Sequence, residues 1–391
     1  MSDVPPLRFP EFSGEWNKCT INDLATVVGG GTPDTTVKSY WGGDIQWFTP
    51  SEIGKNKYVD FSLRTITRDG LDNSSAKLLP LHTILLSSRA TVGECSIASN
   101  ECTTNQGFQS LIAKQCNIDF LYYLIQTKKK DLIRNACGST FLEISANEIR
   151  KIKVAVPVQN EQEQIAKLLS LIDERIATQN KIIEKLQSLI KGLVDELMTV
   201  LLKGKLYPFS SFYIKAGEGG TPTTSVVEYY TEGTIPFIKI EDLSCKYLTN
   251  NKDFITELGM QKSSAWLIPS KSVIYSNGAT IGAISINEYP VCTKQGILGI
   301  VPNTNINVEY LYLLMSSSYF SKEISRIITE GTMKTAYLKD INHIKCPLPS
   351  MAQQKNITNL TSSIEEKLSI EQELLRFLNL QKQYLLHMMF I

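Results

Sequence analysis

The residues best suited to binding a ligand are cations interleaved with aromatic side chains in two separate stretches of the chain. Lysine and arginine pair with phosphates, and arginine, lysine, asparagine and glutamine can reach base edges in a DNA groove. Aromatic residues accompany both sets, Tyr58 and Phe61 in the first and Tyr247 and Phe254 in the second. For any single cation, a solvated surface charge remains the alternative interpretation. The cations are Lys55, Lys57, Arg64, Arg68, Lys77 and Arg89, and then Lys239, Lys246, Lys252, Lys262, Lys271 and Lys294.

Residues for catalysis are sparse. The glycine run Gly29–Gly31 is followed by Thr32-Pro33, whereas a phosphate-binding loop requires Lys-Ser or Lys-Thr. The three histidines are far apart, and no (Asn/Asp)-Pro-Pro-(Tyr/Phe) tetrapeptide of amino-methyltransferases occurs. The eight cysteines form no CxxC pair, which favours reduced structural thiols in a cytoplasmic protein. We therefore expect a chain without catalytic residues, metal or cofactor.

Composition sets the scale of the molecule. A length of 391 residues suggests two or three domains. The net charge is +1, so any nucleic-acid partner must be bound by local patches and not by a global basic field. No apolar run approaches the roughly 18 residues of a membrane span.

The element that must position these residues is a long helix predicted over 160–205. Asn160 can cap its first turn, and Gly204 marks its end. At 1.5 Å per residue it would span roughly 60 Å, too long for one compact core. Its apolar seam has steps of three or four residues, as in a coiled coil. The seam is Ile165, Leu168, Ile172, Ile176, Ile183, Leu186, Ile190, Leu193, Leu197 and Val200.

A second long helix is predicted over 351–389, with Ser350 and Gln353 as a capping box. Two such helices can bury their apolar stripes against each other. The folded segment between them favours antiparallel packing. The second seam is Ile357, Leu360, Ile364, Leu368, Leu375, Leu378, Leu385 and Met389.

Almost everything outside the helices occurs twice, about 190 residues apart, which indicates domain duplication. Thr32-Pro33 recurs as Thr221-Pro222, and Gln106-Gly107 recurs as Gln295-Gly296. The predicted domains are 1–157 (with an arm over 1–18) and 206–349, separated by helices over 158–205 and 350–391. The fold class is therefore α+β, with two mixed domains, an antiparallel pair of long helices and pseudo-twofold duplication.

These duplicated motifs together resemble the specificity subunit of type I restriction–modification systems. Each motif alone is weak, but their repeated order around two spacer helices is specific. The carrying segments are Gly30–Pro33, Tyr40-Trp41, Asp44–Phe48, Ala90–Gly93, Gln106 and Pro157–Ala166, with the counterparts Gly219–Pro222, Tyr229–Ile238, Ala279–Gly282, Gln295 and Pro349–Ile357.

The resemblance implies a DNA-binding, non-catalytic protein. Each globular domain would be a target recognition domain for one half of a bipartite asymmetric DNA site, and the helices would fix the spacing. Two methyltransferase subunits using S-adenosylmethionine would be its partners, joined by restriction subunits that use ATP and magnesium. An alternative is a scaffold with two protein- or glycan-binding domains on a rod.

Comparing the two copies suggests which residues read DNA. Positions shared by both copies should hold the common fold, and positions that differ should encode different half-sites. One predicted half-site set is Lys55, Lys57, Arg64, Arg68, Arg89, Asn105 and Gln106. The other is Lys239, Lys246, Lys252, Asn277, Lys294 and Gln295.

Apolar residues off the helix seams predict docking of partner helices from the methyltransferase subunits. Simple packing between the two long helices is the alternative interpretation of the helices. The predicted docking residues are Leu169, Ile182, Leu189, Leu201, Leu374, Leu380 and Leu386.

Overall fold

The computed structural model describes residues 4–138, 142–278, 280–328 and 334–391. Ala279, part of one repeated motif, lies outside these ranges. The chain forms two compact units, unit 1 with residues 1–181 and 373–391 and unit 2 with residues 182–372. Among the described residues, no helix combines the length and apolarity needed to cross a membrane.

Unit 1 is built on three sheets. A five-stranded sheet has the order β2-β9-β6-β7-β4, a three-stranded sheet has the order β5-β3-β8, and β1 pairs with β10. The elements in chain order are β1 (Asn17–Thr20), α1 (Ile21–Leu24), β2 (Ala25–Gly29), β3 (Trp41–Phe48), β4 (Tyr58–Val59), β5 (Arg64–Ile66), α2 (Arg68–Asp72), β6 (Ile84–Leu86), β7 (Cys95–Ala98), β8 (Cys102–Thr104), β9 (Gln109–Ala113), α3 (Ile118–Thr127), α4 (Lys129–Arg134), α5 (Ala146–Lys151) and β10 (Lys153–Val156).

The central strand β6 shows why this sheet is buried on both faces. Its Ile84-Leu85-Leu86 run is fully buried. Ile84 and Leu86 share a core with Phe120 of α3, whereas Leu85 belongs to a second core with Phe48. Helix α3 begins where the Asn117 side chain accepts a hydrogen bond from the backbone N–H of Phe120.

Unit 2 repeats this architecture strand for strand. Its sheets have the orders β12-β19-β16-β17-β14 and β15-β13-β18, and β11 pairs with β20. The duplication predicted from the sequence is therefore confirmed. The elements are β11 (Leu206–Pro208), β12 (Tyr213–Glu218), β13 (Ile235–Ile238), β14 (Tyr247–Leu248), β15 (Asp253–Ile255), α7 (Glu257–Gln261), β16 (Val273–Ser276), β17 (Ile284–Asn287), β18 (Cys292–Thr293), β19 (Ile297–Pro302), α8 (Val308–Ser316), α9 (Ser318–Ile327), α10 (Leu338–Ile341) and β20 (Lys345–Pro347).

Two long helices complete the chain, α6 (Gln159–Leu201) and α11 (Met351–Met388). The second begins as predicted, because Ser350 N–H donates to the Gln353 side chain and Gln353 N–H donates back to the Ser350 hydroxyl. The first begins one residue before Asn160, so Asn160 lies inside the first turn and does not cap it.

Within each unit the start of one long helix lies with the end of the other. In unit 1, Asp173 of α6 forms a 2.7 Å salt bridge with Lys382 of α11. In unit 2, Met198 of α6 and Ile357 of α11 belong to the same core. This is the antiparallel arrangement expected. The predicted seams are wrong at Val200 and Leu360, which are 62% and 54% exposed.

A buried glutamine joins each long helix to its domain in the same way. Gln162 Nε2 donates to the carbonyl of Pro157, and its Oε1 accepts from the N–H of Asn117 at 3.0 Å. Gln354 donates to the carbonyl of Pro349 and accepts from the N–H of Asn307 at 2.7 Å. The repeated Pro-x4-Gln pattern therefore fixes where the helix leaves the domain, because both ends of the amide are used.

Candidate nucleic-acid interface

Four segments of unit 1 meet to form one exposed surface, which we call loop surface 1. It comprises residues 30–36, 49–52, 60–64 and 105–106. The Gly31 N–H donates to the Thr104 carbonyl at 2.8 Å, and the Thr32 hydroxyl donates to the Gln106 side chain. The Trp41 indole N–H donates to the carbonyl of Asp34 at 3.1 Å. These bonds bring segments distant in sequence into one rigid frame.

The Gly-Gly-Thr-Pro motif is required by this frame. A methyl group added to Gly30 would overlap the carbonyl oxygen of Asn105, and one added to Gly31 would overlap the backbone of Ser75 and Ala76. In unit 2, Gly219 and Gly220 face the same steric limits against Thr293 and Ser264. The predicted structural role of the shared motif therefore has a geometric cause, which is close approach of backbones.

The segment 60–64 is held through its peptide groups, through the Ser62 hydroxyl, which accepts from the Trp47 N–H at 2.9 Å, and through Arg64 on the Trp41 ring. Ser62 N–H donates to Gln46 Oε1 at 2.7 Å, and Leu63 N–H donates to the Glu52 carboxylate at 2.6 Å. The Asp60 carbonyl accepts from Asn100 at 3.1 Å. Because these bonds fix the backbone of the segment, the Phe61 and Leu63 side chains can face solvent.

Unit 2 presents an equivalent surface, loop surface 2, made of residues 219–224, 239–242, 250–253 and 294–295. Lys239 N–H donates to the Asp242 carboxylate at 2.8 Å, just as Thr49 N–H donates to Glu52 at 2.7 Å. The Tyr230 hydroxyl donates to the Pro222 carbonyl at 2.6 Å, replacing the indole contact of unit 1. The frame is repeated, but the side chains on it are different.

Besides Lys239, which is paired with Asp253, six of the predicted DNA-contact residues lie on these two surfaces. Arg64 stacks on the Trp41 ring at 3.6 Å from its centroid, and Asn105 accepts from the N–H of Gly107 at 2.8 Å. Such stacking holds a guanidinium in place while leaving its N–H donors usable. The six are Arg64, Asn105, Gln106, Lys252, Lys294 and Gln295.

Two further predicted cations of unit 1 are exposed but already face carboxylates. Arg89 bonds to Glu143 at 2.7 Å, and the neighbouring Ser88 N–H donates to the Gly107 carbonyl. Arg68 lies at the other end of β5 and contacts Asp72 at 3.4 Å. Exposed pairs of this kind are worth about 0–1 kcal/mol, so phosphate can compete for either cation.

Lys57 has a different role from the one predicted. Its side chain is only 9% exposed and forms a 2.7 Å salt bridge with Asp119. Its ammonium also donates to the Ser170 hydroxyl of α6 at 2.6 Å and lies 4.7 Å from the centre of the Tyr123 ring. Asp119 also accepts a 2.7 Å hydrogen bond from the Tyr58 hydroxyl, and burial together with this bond raises the pKa of that hydroxyl. Lys57 therefore anchors domain and helix, and it is withdrawn from the DNA set.

Lys246 repeats this anchor in unit 2. Its side chain is 13% exposed and is paired with Glu365 of α11 and, at 3.6 Å, with Glu309 of α8. It also lies over the rings of Tyr247 and Tyr312. It too is withdrawn from the DNA set, because two carboxylates and two aromatic rings already surround its ammonium group away from loop surface 2.

Three other predictions need correction or restriction. Asn277 is 1% exposed, and its amide donates to the Ala336 carbonyl at 3.1 Å, so it cannot reach DNA. Lys55 is exposed but lines a cleft of about 690 Å³ between the domain and the long helices of unit 1. Lys239 bonds to Asp253 at 2.9 Å, and this hydrogen bond raises the pKa of Lys239 above its usual value.

The predicted docking residues on the long helices fall into buried, half-buried and exposed groups. Leu169 is fully buried in the core of unit 1, because α6 packs on the domain there as well as on α11. Leu201 and Leu386 are half-buried against the cores of units 2 and 1, and Ile182 is half-buried. Leu189, Leu374 and Leu380 are exposed, the last two on α11.

Sequence reasoning missed most of an exposed apolar stripe on α11 in unit 1. Phe377 is 52% exposed and Tyr384 is 57% exposed. With Leu374 and Leu380 they recur at three- and four-residue steps, which places them on one face of the helix. The buried residues Leu378 and Met389 lie on the neighbouring face, about a third of a turn from the centre of the stripe. The three- and four-residue spacing of these apolar residues could have revealed the stripe, but that spacing was used only to predict the seam.

Four buried thiols are held in their protonated form by the fold. Burial raises the pKa of Cys95, Cys102, Cys116 and Cys346 to about 12, so they stay protonated. In the part of the chain that the structure describes, no three His, Cys, Asp or Glu side chains come together as a metal site.

The duplicated frame agrees with comparison to known proteins. The family model described as the type I restriction modification DNA specificity domain matches residues 13–188 and again residues 212–379. The chain belongs to this family. The two matches coincide with the two copies of the architecture, so each loop surface is carried by its own specificity domain.

Two specificity subunits are similar to this chain, one over most of its length and one over less than half. The type I restriction enzyme MjaIX specificity subunit of Methanocaldococcus jannaschii is 29% identical over 382 residues, covering 90% of this chain and 88% of the relative. The EcoR124I/EcoR124II specificity subunit of Escherichia coli is 29% identical over 175 residues, 43% of each chain. The crystal structure of a type I S subunit from M. genitalium covers 99% of both chains with a TM-score of 0.55 at 18% identity, which shows the same fold.

Proposed function

We propose that this specificity subunit reads a DNA site in two different halves, loop surface 1 contacting one half and loop surface 2 the other. The observation that carries the proposal is a repeated backbone frame bearing different side chains. Arg64 on Trp41 in unit 1 is replaced by Asp253 paired with Lys239 in unit 2. The same loops can then enter DNA in the same way while requiring different bases.

The chemistry of methylation and cleavage would reside in partner subunits. A solved structure with a TM-score of 0.59 to this chain concerns the complex assembly of the type I R-M system. This supports a multisubunit setting. In the proposal, this chain is non-catalytic and cytoplasmic. Two methyltransferase subunits bring S-adenosylmethionine, and restriction subunits bring ATP and magnesium. A scaffold for proteins or glycans is not favoured, because the family match is to DNA specificity domains.

Single charge removals should affect one half-site each. Arg64→Ala is expected to weaken binding about tenfold and to relax base preference in one half of the target only, since a bidentate cation–base contact is worth about 1–3 kcal/mol. Lys294→Ala should act on the other half. The measurement is methylation of duplexes randomised in either half by the assembled complex. Loss of discrimination in both halves from either substitution would contradict the assignment.

The apolar stripe on α11 is proposed to receive a helix of a methyltransferase subunit. Exposed aromatic residues in an apolar stripe are typical anchors of such helix contacts. Phe377→Glu is expected to weaken assembly about 30-fold or more, corresponding to a lost anchor of about 2 kcal/mol. Gln383→Glu adds the same charge to an exposed position off the stripe and is the matched control. Equal assembly of both variants, measured by co-purification and light scattering, would remove the stripe from the interface.

The long helices are proposed to set the separation of the two halves. Four residues inserted after Lys185 in α6, with four after Lys367 in α11, add one helical turn to each, about 6 Å. The unspecified spacer in the target should lengthen by about one or two base pairs, at about 3.4 Å each. Both half-site sequences should remain unchanged. A spacer of the original length in the methylation pattern would refute this role.

A further inference from the structure

Two large apolar side chains stand almost fully in solvent on loop surface 1. Phe61 is 80% exposed and Leu63 is 87% exposed. Exposed single apolar residues are common, but an aromatic and a leucine on adjacent outward positions of one segment form a patch. Neither side chain contributes to a core of unit 1, so folding does not account for them.

The segment 60–64 is also preorganised for binding. Its peptide groups are tied to Gln46, Glu52 and Asn100, so presenting the two side chains costs little further ordering. A flexible loop would fold back and bury its apolar side chains against the protein. Here the hydrogen bonds to Ser62 and Leu63 prevent that.

Unit 2 shows that the frame does not require this pair. The positions equivalent to Phe61 and Leu63, 189 residues later, are Asn250 and Lys252. The unit 2 segment is held comparably, since Asn251 donates to the Asp253 carbonyl at 2.6 Å and accepts from the Tyr289 hydroxyl at 2.8 Å. The apolar pair is therefore a property of the surface of unit 1.

The occupant is indicated by the neighbouring cation. Arg64 directly follows Leu63 and is exposed, with its guanidinium plane fixed on Trp41. A fixed guanidinium beside projecting apolar side chains matches the hydrogen-bonding edge of a base next to a base stack, whereas a purely apolar protein partner would leave Arg64 desolvated and unpaired.

We infer that Phe61 and Leu63 form an apolar wedge that enters the DNA of the half-site read by unit 1 and separates one base step, while Arg64 binds the edge of an adjacent base. This inference rests on the proposed function. Unstacking a step costs a few kcal/mol, and pyrimidine–purine steps open most readily. The unit 1 half-site is therefore expected to include or adjoin a TA or CA/TG step, a requirement that the polar segment of unit 2 does not impose.

The test uses the complete complex with its methyltransferase subunits and its mapped target duplex. 2-Aminopurine is placed at each position of the unit 1 half in turn. The wild-type complex should raise the probe's fluorescence several-fold at one step. The double variant Phe61→Ser, Leu63→Ser should abolish this rise and weaken binding about tenfold or more, with unchanged salt dependence. Ile214→Ser, which alters an equally apolar residue 65% exposed on β12 of unit 2, is the control.

The possible outcomes separate the two proposals. A wild-type complex that binds no bipartite site refutes the proposed function itself. A wild-type complex that binds its site with no fluorescence change at any position, or a double variant that binds and reports unstacking as wild type does, overturns the wedge alone. Loss of the methyltransferase subunits from the double variant also overturns it, because the pair would then be a protein contact.

Discussion

Arg8→Met should lower the free energy of unfolding of unit 1 by about 3–5 kcal/mol, the cost of leaving a buried charge without its partner. The Arg8 guanidinium forms two 2.7 Å bonds with the Glu161 carboxylate, whose side chain is fully buried at the start of α6. The hydrogen bond with Glu161 also raises the pKa of Arg8, so the guanidinium stays charged. Trp16 donates its indole N–H to the same carboxylate at 3.3 Å.

Tryptophan fluorescence can follow this change, because Trp16, Trp41 and Trp47 all belong to unit 1. Lys151→Met is the control, since it removes an exposed ion pair with Glu148 that should be worth less than about 1 kcal/mol. Adding Glu161→Gln to Arg8→Met should restore part of the stability by removing the orphaned charge. Equal, small losses from Arg8→Met and Lys151→Met would show that the amino-terminal arm is not held by this pair.

Gly30→Ala is expected to abolish recognition of the unit 1 half-site while leaving the unit 2 half-site readable. The added methyl group would overlap the Asn105 carbonyl and the Thr104 side chain, so the segment 30–36 must move away from residues 105–106. Discrimination in that half should fall at least about tenfold, given that single base contacts carry about 1–3 kcal/mol. Methylation kinetics on duplexes altered in one half at a time give the measurement.

Two other glycines make this experiment decisive. Gly42 has a left-handed backbone, with φ of +82°, but a methyl group there would meet nothing within 4 Å. Gly42→Ala therefore tests backbone strain of about 1 kcal/mol without a clash. Gly219→Ala should produce the mirror effect on the other half-site. If Gly30→Ala and Gly42→Ala behave alike, close packing of the loop is not what shapes the reading surface.

The architecture was readable from the sequence because it is repeated. Two copies of Thr-Pro and Gln-Gly at matching spacing, with two amphipathic helices, leave few alternatives to duplicated domains on paired helices. The helix capping box at Ser350 followed from local chemistry alone. Local patterns predicted these features well, since the physical causes lie within a few residues of each other.

The site was less readable, because burial depends on distant parts of the chain. Lys57 looked like its neighbour Lys55, yet its partners come from α3 and α6, with Ser170 lying 113 residues away. Asn277 differed from its counterpart Ser88 and so suggested base reading, but its amide instead closes a bond to Ala336. Leu169 lay off the predicted seam, and only the fold shows that the domain covers that side of α6.

Methylation mapping of cells that express this chain with its methyltransferase partners tests the two-half reading most directly. The wild type should yield one motif in two unlike parts separated by an unspecified spacer. Exchanging the side chains of segment 60–64 for those of segment 249–253 should change the bases of one part and leave the other part and the spacer as they were. A single uninterrupted motif, or a change in both parts from that one exchange, would contradict the division of recognition between the two loop surfaces.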